Sequence, residues 1–243
     1  MSKKYAQYTS PYTSLKHEKH HEAVDRILSG PTSCSLYADL NAGPGGYTPS
    51  NSKVIKTTTC SGFYTYEKHG RKVRCLLWEN NKQCYNDLYH KVKQTGFYND
   101  AVVSMASNGT AFAELVASLK EDEKFLVYAD NMGLRKSTEV GIIRKLVKFY
   151  PGSIILHHFS KSADKRASSC SYEDNPFADY LTFLFEHKEK LYITKPLGRQ
   201  NWVFVLASNE NLDLPEDFFL LDKEIVEIIK HEEAECLLNL LFE

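Results

Sequence analysis

The chain has 243 residues, of which 42% are hydrophobic and 25% are charged, and these are ordinary values for a globular protein. The formal net charge of -1 excludes a global basic field, so any surface for nucleic acid has to be a local patch. Six cysteines without a CxxC pair argue against a structural zinc site and against a disulfide framework. Residues 1–8 lack the apolar core of a signal peptide, and no segment reaches the roughly 18 apolar residues of a membrane span. We therefore expect a cytoplasmic protein with no membrane partner.

Predicted helices and strands alternate along the chain. Residues 14–29 predict a polar helix that stops at Gly30-Pro31. The polar stretch 48–69 predicts an irregular loop, and Asn108-Gly109 predicts a break in the chain. Strands separated by helices predict a parallel sheet with right-handed crossovers. Apolar runs of strand length predict strands at 35–40, 74–78, 101–105, 125–129 and 153–157. Helical patterns predict further helices at 81–95, 110–119, 137–149 and 177–185.

The last third of the chain has a different character. Residues 191–194 and 202–206 are apolar and flank a short turn, a spacing that predicts a hairpin whose last strand is antiparallel. Residues 214–243 are strongly apolar with helical spacing, and we expect them to pack on the domain or to form an oligomer interface. The predicted organisation is an N-terminal helical segment (1–33), one α/β domain (34–209) and C-terminal helices (210–243).

An acid and a glycine-rich turn follow the first predicted strand. Asp39 ends the strand, and residues 40–46, here called the glycine turn, contain Asn41, Gly43 and Gly45. Such a turn lets backbone approach a small polar ligand at the carboxyl end of a strand, where open α/β sheets bind ligands. The turn lacks the lysine and spacing of a phosphate-binding loop and the third glycine of the dinucleotide pattern GxGxxG. These residues are candidate ligand-binding residues; the alternative is an ordinary tight turn between a strand and a helix.

Polar side chains also follow the second and third predicted strands. Glu79 comes directly after the second strand, where an acid can accept hydrogen bonds from both hydroxyls of a ribose. Asn108 follows the third strand, and its amide can both donate and accept hydrogen bonds. A solvated acid and a simple Asn-Gly turn are the alternatives. Glu79 and Asn108 are therefore further candidates for binding an adenosine-containing cofactor.

The fourth predicted strand ends in the segment Asp130-Asn131-Met132-Gly133. Two oxygen acceptors at a strand end can orient an amino group, so Asp130 and Asn131 are the candidate catalytic residues. The alternative for Asp130 is a strand-end acid without a catalytic role. His157 and His158 end the fifth strand, and because neighbouring strand residues point to opposite faces, at most one of them can face such a site.

These segments together resemble the class I S-adenosylmethionine (SAM) methyltransferases, and more closely the three-Cys-motif partner family of bacteria and mobile elements. The resemblance covers roughly residues 14–208. It implies a Rossmann-like, seven-stranded sheet, mostly parallel with an antiparallel last strand, with SAM as cofactor. It also implies that Asp39 lies near the amino group of SAM, that the glycines make room for its methionine part and that Asn108 lies against its adenine amino group. The segments that carry the resemblance are Lys16-His17, 37–45, Glu79, 128–133 and 195–198.

The segment at Asp130 departs from the motif of that family. Amino-methyltransferases have a [DNS]PP[YFW] tetrad at this position, and the three-Cys-motif partner family has a DPFG-like segment, whereas this chain has Asn131-Met132 after the acid. The resemblance implies a SAM-dependent methyltransferase without naming its substrate. We expect it to act on an amino group of a nucleic-acid base, with DNA or RNA as the partner. The alternative is a catalytically silent SAM-binding-fold protein that acts as an interaction or regulatory partner of another protein.

Three histidines in the first predicted helix share one face. His17, His20 and His21 stand at i, i+3 and i+4, a spacing that is compatible with a metal ion. Because Lys16 and Lys19 lie between them, we expect a solvated basic face and no metal site.

Overall fold

The strands that the structure describes form one mixed sheet. The computed structural model describes residues 11–31, 34–46, 59–95, 101–130, 138–160, 176–195, 202–222 and 224–225. The strands are β1 (Leu36–Asp39), β2 (Arg74–Trp78), β3 (Ala101–Ser104), β4 (Phe125–Asp130), β5 (Ser153–Ser160), β6 (Lys190–Thr194), β7 (Trp202–Ser208) and β8 (Phe218–Leu220). The helices are α1 (Pro11–Ser29), α2 (Ser61–His69), α3 (Lys82–Gln94), α4 (Asn108–Ser118), α5 (Thr138–Phe149) and α6 (Pro176–His187). Within the described residues the sheet has eight strands, in the order β3-β2-β1-β4-β5-β7-β6-β8. None of the described helices is long and apolar enough to cross a membrane.

The chain divides into two compact units, residues 1–125 and 126–243. In the first unit, β2 pairs in parallel with β1 on one side and with β3 on the other. All four residues of β1 are buried, as are the last four of β2. Burial along the whole strand explains the continuous apolar runs by which the sequence predicts these strands. Helix α3 begins where predicted, because the Asn81 side chain caps it by accepting hydrogen bonds from the backbone N–H groups of Gln83 and Cys84.

Helices α1 and α2 are joined through Asp25. Its carboxylate accepts hydrogen bonds from the Tyr64 hydroxyl (2.7 Å), from Lys68 Nζ and from His69 Nε2 (2.7 Å). Burial alone raises the pKa of the Asp25 carboxyl, but these hydrogen bonds outweigh burial and hold the pKa below its usual value. His21 stacks on the Tyr64 ring, with 3.6 Å between the ring centroids. Helix α1 is thus an integral part of the first unit.

Two predictions in the first unit are wrong. Residues 61–69, predicted as part of an irregular loop, form α2. The prediction missed this helix because its buried face consists mainly of small and polar residues such as Gly62 and Thr65. A hydropathy pattern does not reveal a helix of this kind. Asn108-Gly109, predicted as a break, opens α4 with Ser107 as its N-cap residue. Residues 48–58 of the predicted loop lie outside the described residues.

In the second unit, the predicted hairpin is confirmed. Strand β7 is antiparallel to both β5 and β6. The predicted count of seven strands is wrong, because β8 adds an antiparallel pairing to β6 with Tyr192 opposite Leu220. The interval 214–225 therefore contains a strand where a helix was predicted: Phe218 is buried, and the backbone N–H of Leu221 donates to the carbonyl of Leu191 (2.7 Å). Residues 226–243 lie outside the described residues.

Candidate functional site

The glycine turn contains two residues in a left-handed backbone conformation. Gly43 and Gly45 have φ values of 67° and 82°, in the left-handed region that favours glycine. The backbone N–H of Ala42 donates to the carbonyl of Trp78 at 2.9 Å. The turn is therefore pinned to the end of β2, the neighbouring strand.

Glu79 holds the glycine turn from the end of β2. Its Oε2 accepts a hydrogen bond from the Gly43 N–H at 3.0 Å, and its Oε1 accepts one from the Asn81 N–H at 2.7 Å. An ionised carboxylate offers about four lone-pair sites, and these two backbone groups use two of them. Glu79 is half-buried. It can therefore hold the turn and accept hydrogen bonds from two ligand hydroxyls at the same time.

Asp39 lies deeper than Glu79 and has another role. Its side chain is 0% exposed and accepts hydrogen bonds from the Tyr37 hydroxyl (3.0 Å), the Ser61 hydroxyl (2.8 Å) and the Asn41 N–H (2.9 Å). The last bond, from a residue to the backbone two positions on, is the Asx turn that redirects a chain. Asp39 is thus placed to shape the turn. Asn41 itself is half-buried at the start of the turn.

The prediction that Gly45 makes room for a ligand needs correction. A Cβ atom on Gly45 would lie 2.9 Å from Lys91 Cδ, 3.4 Å from Phe63 Cβ and 3.5 Å from Leu88 Cδ1. The space beside Gly45 is therefore filled by α2 and α3. Gly62 of α2 packs equally closely on the glycine turn. A Cβ atom added to Gly62 would lie 2.8 Å from Ala42 Cβ and 3.1 Å from Asp39 Oδ2.

The end of β3 is joined to α4 through a residue that sequence reasoning missed. Glu114 accepts hydrogen bonds from Trp78 Nε1 (2.7 Å) and from the Ser104 hydroxyl (3.2 Å). An acid in the middle of a helix gives no signal in the sequence that it binds two strand ends. Asn108, the predicted adenine-contacting residue, is the first residue of α4, and its side chain lies outside the described part of the structure.

Asp130, the candidate catalytic acid, is paired with a histidine in the second unit. A hydrogen bond joins His158 Nδ1 and Asp130 Oδ1 (2.7 Å), and since an ionised carboxylate only accepts, the imidazole donates. The His158 ring lies against Trp202 and Phe204, with centroid distances of 5.3 and 5.4 Å. The carboxylate of Asp130 is thereby fixed in orientation. Asn131 lies outside the described residues.

His157 points away from Asp130, as the alternation of a strand predicts. Its Nδ1 is hydrogen-bonded to the hydroxyl of Tyr180 on α6 at 2.8 Å. Burial, and next the neighbouring His158, lower the pKa of His157 to about 3. Burial also raises the pKa of the Tyr180 hydroxyl. This pair is neutral near pH 7 and belongs to the core.

The histidine face of α1 is not a solvated basic face, contrary to our prediction. His17 and His20 are buried, and His20 Nε2 lies 3.1 Å from the hydroxyl of Tyr37. Burial lowers the pKa of His21 to about 4. Among the described residues, no group of three or more His, Cys, Asp or Glu side chains is placed to hold a metal ion.

Solved structures with a similar overall fold show the fold class of this chain. Protein LPL1258 from Legionella pneumophila, of the family model DUF519, has a TM-score of 0.58 and 11% identity, with 90% of this chain and 89% of that chain covered. The methyltransferase domain of METTL16 has a TM-score of 0.50 and 13% identity, with 84% and 71% covered. The chain has the class I methyltransferase fold. No family model and no curated protein matches the sequence. The resemblance to the three-Cys-motif partner family accordingly stays a prediction.

Proposed function

We propose that the chain is a SAM-dependent methyltransferase that binds SAM at the glycine turn. The observation that carries this proposal is the Glu79 carboxylate, which holds Gly43 and Asn81 and retains the capacity for two more hydrogen bonds. Two adjacent ribose hydroxyls are ligands of the right kind for it, as in dinucleotide-binding folds. When bound, SAM supplies a sulfonium methyl group to a nucleophile.

The glycine turn supports the same cofactor. Gly43 and Gly45 have left-handed backbone conformations, and Gly43 is half-buried, which is compatible with close approach of a polar ligand to the turn. Asp39, which accepts three hydrogen bonds from its own chain, serves this site by shaping the turn. Asn108 is the first residue of α4, the helix that follows β3 in the chain, and is proposed to contact the adenine of SAM.

The proposed methyl acceptor is an amino group of a nucleic-acid base, in DNA or RNA. Methylation of such a group requires its lone pair to be turned toward the methyl carbon, and acceptors at a strand end can do this by orientation. Asp130 is the proposed first acceptor and Asn131, or a carbonyl beside it, the second. The hydrogen bond to His158 holds the Asp130 carboxylate in one orientation, which suits this task.

The second candidate function is a SAM-binding protein without catalysis that acts on a protein partner. Two observations favour it. Asn131-Met132 stands where amino-methyltransferases have prolines and an aromatic ring, and the Asp130 carboxylate already binds His158 within its own chain. In this case the turn at Asp39 and Glu79 would still bind the cofactor.

Transfer of a labelled methyl group from SAM distinguishes the two functions. Nucleosides from DNA and RNA of cells with and without the gene are compared by mass spectrometry, and the modified nucleic acid is then the substrate in vitro. Asp130→Ala is expected to lower the rate about 10²–10³-fold, as the loss of one preorganised hydrogen-bonding group does. Its SAM affinity should stay within about threefold of wild type, since the SAM ligands proposed here are other residues. Full activity of Asp130→Ala contradicts the catalytic assignment, and absence of any labelled acceptor with wild type favours the silent partner.

A further inference from the structure

A buried polar chain connects helix α1 with the glycine turn. The His20 imidazole, the Tyr37 hydroxyl and the Asp39 carboxylate lie in sequence, at 3.1 and 3.0 Å. All three residues are 0% exposed. His20 comes from α1, whereas Tyr37 and Asp39 share one face of β1 because they are two positions apart. No part of the proposed cofactor contact involves α1 directly.

The direction of each hydrogen bond follows from the carboxylate. An ionised carboxylate only accepts, so the Tyr37 hydroxyl donates to Asp39 Oδ2. The oxygen of Tyr37 is then the acceptor for His20, whose Nε2 carries the proton. Each bond polarises the next, so the chain of bonds strengthens the donor that reaches Asp39.

Asp39 links the hydrogen bonds of His20 and Tyr37 to the glycine turn. Its Oδ1 accepts the Asn41 N–H at 2.9 Å, and the backbone two residues further on, at Gly43, donates to Glu79. A carboxylate with 0% exposure cannot replace a lost donor by water, so losing Tyr37 leaves it underbonded. Tyr37 and Ser61 both donate to Oδ2, so without Tyr37 that oxygen loses one of these two donors and the carboxylate is free to rotate about its Cβ–Cγ bond, which moves Oδ1 away from the Asn41 N–H. The shape of the glycine turn therefore depends on two side chains that lie behind it.

We infer that Tyr37 and His20 are positioning residues for SAM binding, through which α1 sets the shape of the glycine turn. The inference rests on the proposed function, since it concerns the same cofactor. Neither residue contacts the ligand in this account. Both act through Asp39 on Asn41 and Gly43.

The matched control is Tyr66→Phe. Tyr66 is also 0% exposed in the first unit, and its hydroxyl is hydrogen-bonded to the Thr95 hydroxyl (2.8 Å) beyond the carboxyl end of α3. Tyr37→Phe and Tyr66→Phe each delete one buried hydroxyl, but only the first belongs to the chain that ends at the glycine turn. A purely structural role of Tyr37 predicts equal behaviour of the two variants.

Two measurements test the inference. Amide hydrogen exchange of Asn41 and Gly43 is recorded without ligand, and Tyr37→Phe should accelerate it at least about tenfold while Tyr66→Phe changes it less than about twofold. Titration calorimetry with SAM should show a dissociation constant raised about tenfold in Tyr37→Phe and unchanged in Tyr66→Phe. His20→Leu should reproduce part of both effects, and His20→Gln, which retains an N–H donor, should restore wild-type values.

The outcomes separate the inference from the function on which it rests. If wild type does not bind SAM, the proposed cofactor is wrong, while the exchange rates still decide whether Tyr37 shapes the turn. If Tyr37→Phe is folded and its turn amides exchange as in Tyr66→Phe, the inference is overturned. If Tyr37→Phe does not fold, the comparison of His20→Leu with His20→Gln gives the same decision, because both leave Asp39 its three donors.

Discussion

Replacement of Gly62 by alanine tests how closely α2 packs on the glycine turn. The added Cβ would lie 2.8 Å from Ala42 Cβ, 3.1 Å from Asp39 Oδ2 and 3.2 Å from Leu77 Cδ2. Cβ atoms essentially never approach another heavy atom within 3.0 Å in real proteins. Ala42 Cβ is fixed to the backbone of the turn, so the clash can be relieved only by moving the turn or the helix.

The chain offers a matched control in Gly109→Ala. Gly62 and Gly109 are each the second residue of a helix in the same compact unit, but a Cβ on Gly109 would meet nothing within 4 Å. Alanine favours a helix over glycine by up to about 1 kcal/mol, and this gain is common to both variants. The difference in the free energy of unfolding between Gly109→Ala and Gly62→Ala is then the cost of overpacking at Gly62, about 1–3 kcal/mol.

Thermal unfolding followed by circular dichroism measures that difference. For a chain of this length 1 kcal/mol corresponds to about 2–4 °C in Tm, so Gly62→Ala should melt several degrees below Gly109→Ala. Because the displaced atoms include Asp39 Oδ2 and Ala42, SAM affinity of Gly62→Ala should also fall. Equal melting temperatures of the two variants, with unchanged SAM affinity of Gly62→Ala, would refute the packing described here.

Three further predictions concern the turn and the core. Gly45→Val should lower the free energy of unfolding by about 2 kcal/mol or more, since its φ of 82° disfavours β-branched residues and its Cβ would meet Lys91; wild-type stability in urea denaturation contradicts this. Glu79→Gln should raise the dissociation constant of SAM at least about tenfold in calorimetry, because hydrogen bonds to a charged acceptor are lost; an unchanged constant excludes Glu79 as the ribose ligand. His157 takes up a proton near pH 6.5 when unfolded and near pH 3 when folded, so the unfolded state binds more protons in this interval and stability falls as the pH decreases through it. His157→Phe should therefore show a weaker loss of Tm between pH 6.5 and pH 4 than wild type, and an identical pH dependence would contradict the neutral, buried imidazole.

The strands at the centre of the sheet could be predicted from the sequence because buried strands consist of short runs of apolar residues. Residues 74–78 and 125–129 are such runs, and both form strands within one residue of the predicted bounds. Helix α2 could not be predicted in this way, since Gly62 and Thr65 face the core where a hydropathy pattern expects large apolar residues. Strand β8 was hidden within an apolar stretch of helical spacing, and only its pairing with β6 makes it a strand.

The candidate site was only partly predictable for a related reason. The glycine turn and Glu79 follow strand ends, and parallel strands bring such ends to one edge, so local sequence is sufficient to place them together. Asp39 accepts hydrogen bonds from Tyr37 and Ser61, and the partner of Asp130 is 28 residues away at His158. Hydrogen bonds between distant side chains leave no periodic signal in a sequence.

Calorimetric titration of the wild-type chain with SAM tests the central claim most directly. The account predicts one molecule of SAM bound per chain, with a dissociation constant in about the micromolar range typical of enzyme substrates, and at least tenfold weaker binding to Glu79→Gln. Absence of binding to a chain that circular dichroism shows to be folded would contradict the assignment of the glycine turn and Glu79 as a SAM site.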